Sequence, residues 1–221
     1  MSKRIAFLPV SFFVFLVFVI FSYFVHKNLF TSLDFNTTVK IQDRLGDSLI
    51  GPFSMFSLFG SVEIASIILL IVLIFSRKLK SIFVLFFYGM TGVIELLGKI
   101  MIEHQGPPIM FLKTNLAIHF PSSYIPHEFF SYPSGHVART AFVSGILFLL
   151  IYTSFKNKKS HSRFAVPALA LAVVGLLTFD FLMFVSRVYL GEHWTSDVIG
   201  GALLGFSLAL IYIATLNKKI S

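Results

Sequence analysis

Six long apolar runs, joined by short polar or basic connections, take up nearly the whole chain: Ile5 to Val25, Met55 to Phe75, Ser81 to Ile102, His136 to Phe155, Phe164 to Val185 and Asp197 to Leu216. Each is close to the roughly 20 mostly apolar residues that a helix needs to cross the hydrocarbon core. The pattern predicts an all-α fold, an integral membrane bundle of six transmembrane helices. No Ser/Gly-rich linker, low-complexity tract or internal repeat interrupts it, so one integral-membrane domain is expected over residues 1–221.

Composition agrees with a life in lipid: 56% of the residues are hydrophobic and 16% aromatic, with 28 Phe and a mean hydropathy of +0.86, far above ordinary soluble domains. Lys3 and Arg4 before the first run invite a signal-peptide reading. That run is longer than the usual ~7–15-residue signal core, and it ends in Tyr23-Phe24-Val25-His26-Lys27 without a small-residue cleavage site. A retained anchor is expected.

The net charge of +8 is unevenly placed. Lys3 and Arg4, then Arg77, Lys78 and Lys80, then Lys156, Lys158, Lys159 and Arg163, then Lys218 and Lys219 mark alternate ends of the runs. By the positive-inside rule those ends are cytoplasmic, and so are both termini. The opposite connections, roughly His26 to Ser54 and Glu103 to Tyr132, hold few cations, balanced by Asp34, Asp43, Asp47, Glu103 and Glu128. The basic excess therefore reads as topology plus attraction to anionic headgroups. Nucleic acid is not expected as a partner, and no obligatory protein partner is inferred. With no cysteine, disulfides and thiolate metal sites are excluded; the redox compartment stays open. Phe111-Leu112 and Phe120 to Phe130 mix aromatics, prolines and histidines in a way suited to the headgroup level, as a lip over a membrane-facing site.

Three segments, 99–107, 133–136 and 186–197, fall at run ends on the predicted outer side. In Ser186-Arg187-x5-His193-x3-Asp197, His193 and Asp197 are four apart and share a face if helical. A carboxylate there fixes the imidazole tautomer and leaves the other nitrogen free to attack, while Arg187 offers a planar donor fork to phosphate oxygens. Alone, the segment reads equally as a set of interfacial anchors. Pro133-Ser134-Gly135-His136 starts a helix whose free N–H groups and dipole favour an anion; His136 suits acid–base chemistry. As an isolated tetrapeptide it is also an ordinary turn. Lys99 sits near the outer end of the third run, either snorkelling to the interface or pairing with Glu95 one turn back.

Together the segments Lys99-x6-Gly106-Pro107, Pro133-Ser134-Gly135-His136 and Ser186-Arg187-x5-His193-x3-Asp197 resemble the three-part signature of the type 2 phosphatidic acid phosphatase superfamily, which includes bacterial six-span lipid phosphatases. The resemblance runs from about the second span to the C-terminus. It implies that His193 attacks phosphorus to give a phosphohistidine, that Asp197 orients it, and that His136 protonates the leaving oxygen. Lys99, Ser134, Gly135 and Arg187 would hold the phosphate, with no metal and no cofactor. One departure stands out. The family usually has Arg-Pro where this chain has Gly106-Pro107. Arg139, three residues after His136 on the same helical face, is expected to replace the missing guanidinium; an arginine inside a span is otherwise expensive, unless it forms a structural pair within the bundle.

Glu63, Glu95 and Asp180 also lie within runs and need partners; Asp180, seven residues before Arg187, is a candidate support for it. Gly201 and Gly205 read as a small-xxx-small helix contact. The reading predicts a multi-pass cell-membrane enzyme that removes phosphate from a lipid phosphate or diphosphate at the extracytoplasmic face. Polyprenyl diphosphates, phosphatidylglycerol phosphate and phosphatidate are the candidate substrates. Alternatives are a lipid or anion transporter using the same cations, and a catalytically impaired family member that binds lipid phosphate.

Overall fold

A computed structural model describes residues 7–76, 81–113, 120, 130–157 and 165–215. Most of the basic clusters, the termini and most of the second outer connection lie outside the described residues; of its expected lip only Phe111, Leu112, Phe120 and Phe130 are described, with Phe111 buried and Leu112 exposed. Helices dominate, and no strand occurs among the described residues. The order is α1 (Phe7–His26), α2 (Thr31–Arg44), α3 (Ile50–Ser57), α4 (Val62–Phe75), α5 (Ser81–Met101), α6 (Gly135–Asn157), α7 (Ala165–Tyr189) and α8 (Thr195–Thr215), with 3-10 turns at Asp47–Leu49, Leu58–Gly60 and Ile109–Phe111. Five helices, α1 and α5 to α8, are each long and apolar enough to cross a membrane.

The second expected span is not one helix. Asp47–Gly60 and Val62–Phe75 together make a pair bent by 56°, a sixth span if the two count as one. The cause is local. In an unbroken helix the Ile64 N–H would bond the Gly60 carbonyl; here it donates to the side chain of Ser61, 3.2 Å away, which caps α4. The Gly60 carbonyl is released for another partner, and that partner belongs to the site.

Helix α2 has no counterpart among the expected elements. Its sequence, TSLDFNTTVKIQDR, is too polar and too short to register as a span. It is tied down by side-chain bonds at one end of the bundle: Gln42 Nε2 donates to the carbonyls of Phe111 and Tyr189 at 2.7 and 2.8 Å.

At the centre α6 packs on α8. A Cβ on Gly201 would lie 2.4 Å from the Ser134 carbonyl, and one on Gly205 only 2.2 Å from that of Ala138, so the backbones touch where the sequence has glycine. Helix α1 also packs on α8 and reaches the segment before α6: Phe18 stacks on Tyr132 with ring centroids 6.5 Å apart, and the Ser22 and Tyr132 hydroxyls share a 2.8 Å hydrogen bond.

Candidate active site

The three signature segments meet at one end of the bundle. Gly98, beside Lys99 on α5, lies so near the second segment that a Cβ there would stand 2.5 Å from Pro133 Cδ. The Ser134 N–H donates to the Asp197 carbonyl at 2.9 Å, joining the second segment to the third. Helix α6 begins at Gly135, so Ser134 directly precedes it and Pro133 lies outside it, and the helix starts two residues later than the motif reading places it.

His193 is buried just before α8, and Asp197 lies in the first turn of that helix. The two are not on a common helical face, yet Asp197 Oδ2 sits 3.5 Å from His193 Nδ1. Asp197 is fully buried and well held: Oδ2 also accepts the Trp194 backbone N–H at 2.9 Å, as a side chain at the third helical position caps its own helix. Its other oxygen, Oδ1, accepts from His104 Nδ1 at 2.8 Å. His104 Nε2 in turn lies 3.7 Å from Asp34 Oδ2 on α2. Asp34 receives the backbone N–H and the hydroxyl of Ser196 at 2.8 and 2.7 Å.

The imidazoles are driven apart. Burial and the cations Arg187 and Lys99 outweigh the adjacent Asp197 and hold His193 below the ordinary histidine value, in its neutral form. Burial acts on His104 in the same sense, but the hydrogen bond and charge of Asp197, aided by Asp34, override it and raise His104. One imidazole is biased toward its neutral, nucleophilic form and the other toward its protonated form.

Cations gather around the histidines. His136 lies within electrostatic reach of Arg187, Arg139, His193 and Lys99, and its side chain packs on the bend between α3 and α4, where a Cβ on Gly60 would be 2.8 Å from His136 Cβ. Arg139 Nε donates to the released Gly60 carbonyl at 2.9 Å, and Arg139 Nη1 to Glu95 Oε2 at 2.7 Å. Glu95 Oε1 takes Lys99 Nζ at 2.8 Å. Its carboxylate lies over bare backbone, since a Cβ on Gly135 would fall about 2 Å from it. Glu95 therefore holds two cations against the N-terminus of α6, where an anion is favoured. Arg187 pairs with Glu192. Ser134 Oγ and Arg187 Nε are buried without a hydrogen bond.

Asp180 does not support Arg187; it accepts the Ser144 hydroxyl at 3.0 Å, one layer deeper in the bundle. Gly106 leaves its position without a guanidinium, and the loop around it is held by backbone groups, with Trp194 Nε1 donating to the Gln105 carbonyl at 2.8 Å. Sequence reasoning misses His104, Asp34 and Glu192. Glu192 and His104 both lie inside signature segments, Glu192 as a charged residue beside the nucleophile candidate and His104 at one of the unspecified positions between Lys99 and Gly106; Asp34 lies outside all three, and nothing in its spacing connects it to Asp197.

Comparison with known proteins gives the lineage. Residues 80–221 match the PAP2 superfamily. Phosphatidylglycerophosphatase B of Bacillus subtilis is 32% identical over 93 residues, 41% of each chain. The enzyme of the same name from Haemophilus influenzae is 34% identical over 91 residues, 41% of this chain and 34% of that one. The aligned segments thus span about two fifths or less of these relatives. Among solved structures, the PAP2-type phosphatidylglycerolphosphate phosphatase of Bacillus subtilis superposes with a TM-score of 0.70 at 22% identity, covering 96% of this chain and 95% of that one. LpxE of Aquifex aeolicus gives 0.59 at 21% identity over 82% and 94%. At such identities the superpositions speak for a shared fold.

Proposed function

This chain belongs to the PAP2 superfamily, and we propose that it is a membrane lipid phosphatase working through a phosphohistidine on His193. The single observation that supports this most is a buried, neutral imidazole beside a buried carboxylate, within electrostatic reach of Arg187 and Lys99. A transporter needs the cations but not the imidazole–carboxylate pair.

In the proposed reaction Lys99, Arg139 and Arg187, with the Ser134 hydroxyl and the N–H groups near Gly135, bind the phosphate oxygens. The phosphate competes with Glu95 and Glu192 for the cations those carboxylates hold. His193 Nε2 attacks phosphorus while its Nδ1 proton stays on the Asp197 side. The bond from phosphorus to the lipid oxygen breaks, and His136 gives that oxygen its proton. Water then attacks the phosphohistidine, loses a proton to His136, and phosphate leaves with both histidines restored. The lipid tail remains in the bilayer. Phosphatidylglycerol phosphate, phosphatidate and polyprenyl diphosphates fit these requirements, and the charge pattern of the connections supports a site on the extracytoplasmic face.

Phosphate release by the purified protein from a panel of these lipids, with and without chelator, tests the reading. Turnover is expected to survive chelation and to be abolished in folded His193→Ala, with His136→Ala losing the ~10²–10⁴-fold typical of a general acid. Wild-type turnover by His193→Ala would refute the nucleophile.

A further inference from the structure

Asp197 serves two imidazoles, and only one of them is the proposed nucleophile. Its two oxygens are divided between them: Oδ2 faces His193 and the Trp194 N–H, while Oδ1 accepts from His104 Nδ1 at 2.8 Å. A carboxylate held by one oxygen alone can rotate about its last bond. Held by both, it has one orientation.

His104 is itself fixed. It is buried, and its far nitrogen points at Asp34, which cannot drift because Ser196, the residue before Asp197, gives it both a backbone and a hydroxyl donor. The chain Asp34, His104, Asp197, His193 thus runs from α2 through the loop after α5 to the start of α8, and Ser196 ties its far end, Asp34, back to α8. Resting on the phosphatase reading above, we infer that His104, backed by Asp34, is a positioning residue that sets the plane of the Asp197 carboxylate and through it the aim of His193 Nε2.

A purely structural link between α2 and α8 would use the same atoms, so the test must separate the two. If His104 acts through Asp197, its removal lowers kcat and leaves phosphate binding alone, because none of the four members is assigned to the phosphate except His193 in the reaction itself. His104→Phe fills the space and removes the donor; His104→Asn places an amide N–H near the position of Nδ1. Hydrogen bonds to a charged group support a loss of about ten- to a hundredfold in kcat for His104→Phe. The inhibition constant for inorganic phosphate should change by less than about threefold. His104→Asn should recover most of the rate, and Asp34→Asn, which removes the charge opposite His104 Nε2, should lose an intermediate amount.

The experiment is a double-mutant cycle on the purified full chain, with lipid phosphate in mixed micelles. The combination His104→Phe/Asp197→Asn is expected to be no slower than Asp197→Asn alone. Wild-type kcat in His104→Phe, a loss confined to KM or phosphate affinity, or losses that multiply in the double variant would overturn the positioning role while leaving the phosphatase intact. Should His104→Phe not fold, the rate of His104→Asn and Asp34→Asn decides: full activity in both overturns the inference. Wild-type turnover in Asp197→Asn would overturn the phosphatase mechanism and this inference with it.

Discussion

At the scale of single residues, the motif histidines and cations were legible because their spacing is fixed by short segments, whereas their counterions were not. Glu95 was visible as a partner for Lys99 one turn on, but its second bond, to Arg139 44 residues away, needs the packing of α5 on α6. His104 lies in the first signature segment, but at one of its unspecified positions, so the motif assigns it no role. Arg139 is where sequence and geometry can be tested together. It reaches the carboxylate that also holds Lys99, so a phosphate taking that place meets both cations. Arg139→Ala is expected to lower kcat/KM by roughly ten- to a hundredfold. A Cβ at Gly106 would meet only Ser131 Cβ, at an ordinary 3.5 Å, so Gly106→Arg is sterically admissible at its root. Adding it to Arg139→Ala should restore part of the rate if both positions serve one phosphate. Near-full activity in folded Arg139→Ala removes Arg139 from the site.

His104 also makes a prediction about stability. Its folded value is raised above the ordinary ~6.5 by Asp197 and Asp34, the carboxylates that face it, despite burial. The sign follows from linkage: the folded state binds this proton more tightly than the unfolded one. The stabilisation is complete below the unfolded value and is lost as pH rises through the higher folded one. His193, held low, contributes in the opposite sense as pH falls. The informative quantity is therefore a difference. The thermal midpoint of wild type minus that of His104→Asn should shrink as pH is raised from about 6 into the alkaline range; a difference independent of pH would contradict the raised value of His104.

At the scale of elements, the apolar runs of α1, α5, α6, α7 and α8 were legible to within a few residues, since nothing but a helix suits a run of that length in lipid. The break at Gly60-Ser61 was not, because both halves are apolar and the bend depends on one serine taking a neighbour's N–H. Helix α2 was hidden for the opposite reason: its polar face is buried by long-range bonds rather than by an apolar stripe. The bend matters for the site, because it turns the Gly60 carbonyl to Arg139 and sets Gly60 against His136. Gly60→Ala would put a methyl 2.8 Å from His136 Cβ and 3.0 Å from its Cα. Overpacking of that kind costs about 1–3 kcal/mol, here felt by the proposed acid. Gly175 on α7 is the control, because a methyl added there would meet nothing within 4 Å. Activity should fall about tenfold or more in Gly60→Ala and stay within about twofold in Gly175→Ala; equal rates in the two would mean that the bend does not position His136.

At the scale of the whole molecule, orientation in the membrane is the property that the charge pattern assigns and the fold makes testable. Asp34 on α2 is bonded to Ser196 at the start of α8, so α2 and the signature segments occupy the same end of the bundle. Asn36, exposed on α2, therefore reports the face of the site. The natural chain has no cysteine, so a single introduced thiol gives an unambiguous label. Asn36→Cys should react with a membrane-impermeant maleimide in intact cells, whereas Ser2→Cys and Ser221→Cys should react only after the membrane is opened. The positive-inside rule rests on Lys and Arg near span ends, and the chain concentrates them at the termini and at the connections around residues 77–80 and 156–163. Protection of Asn36→Cys together with labelling at both termini would place the phosphate site on the cytoplasmic side, and a lipid phosphate presented from outside could then no longer be its substrate.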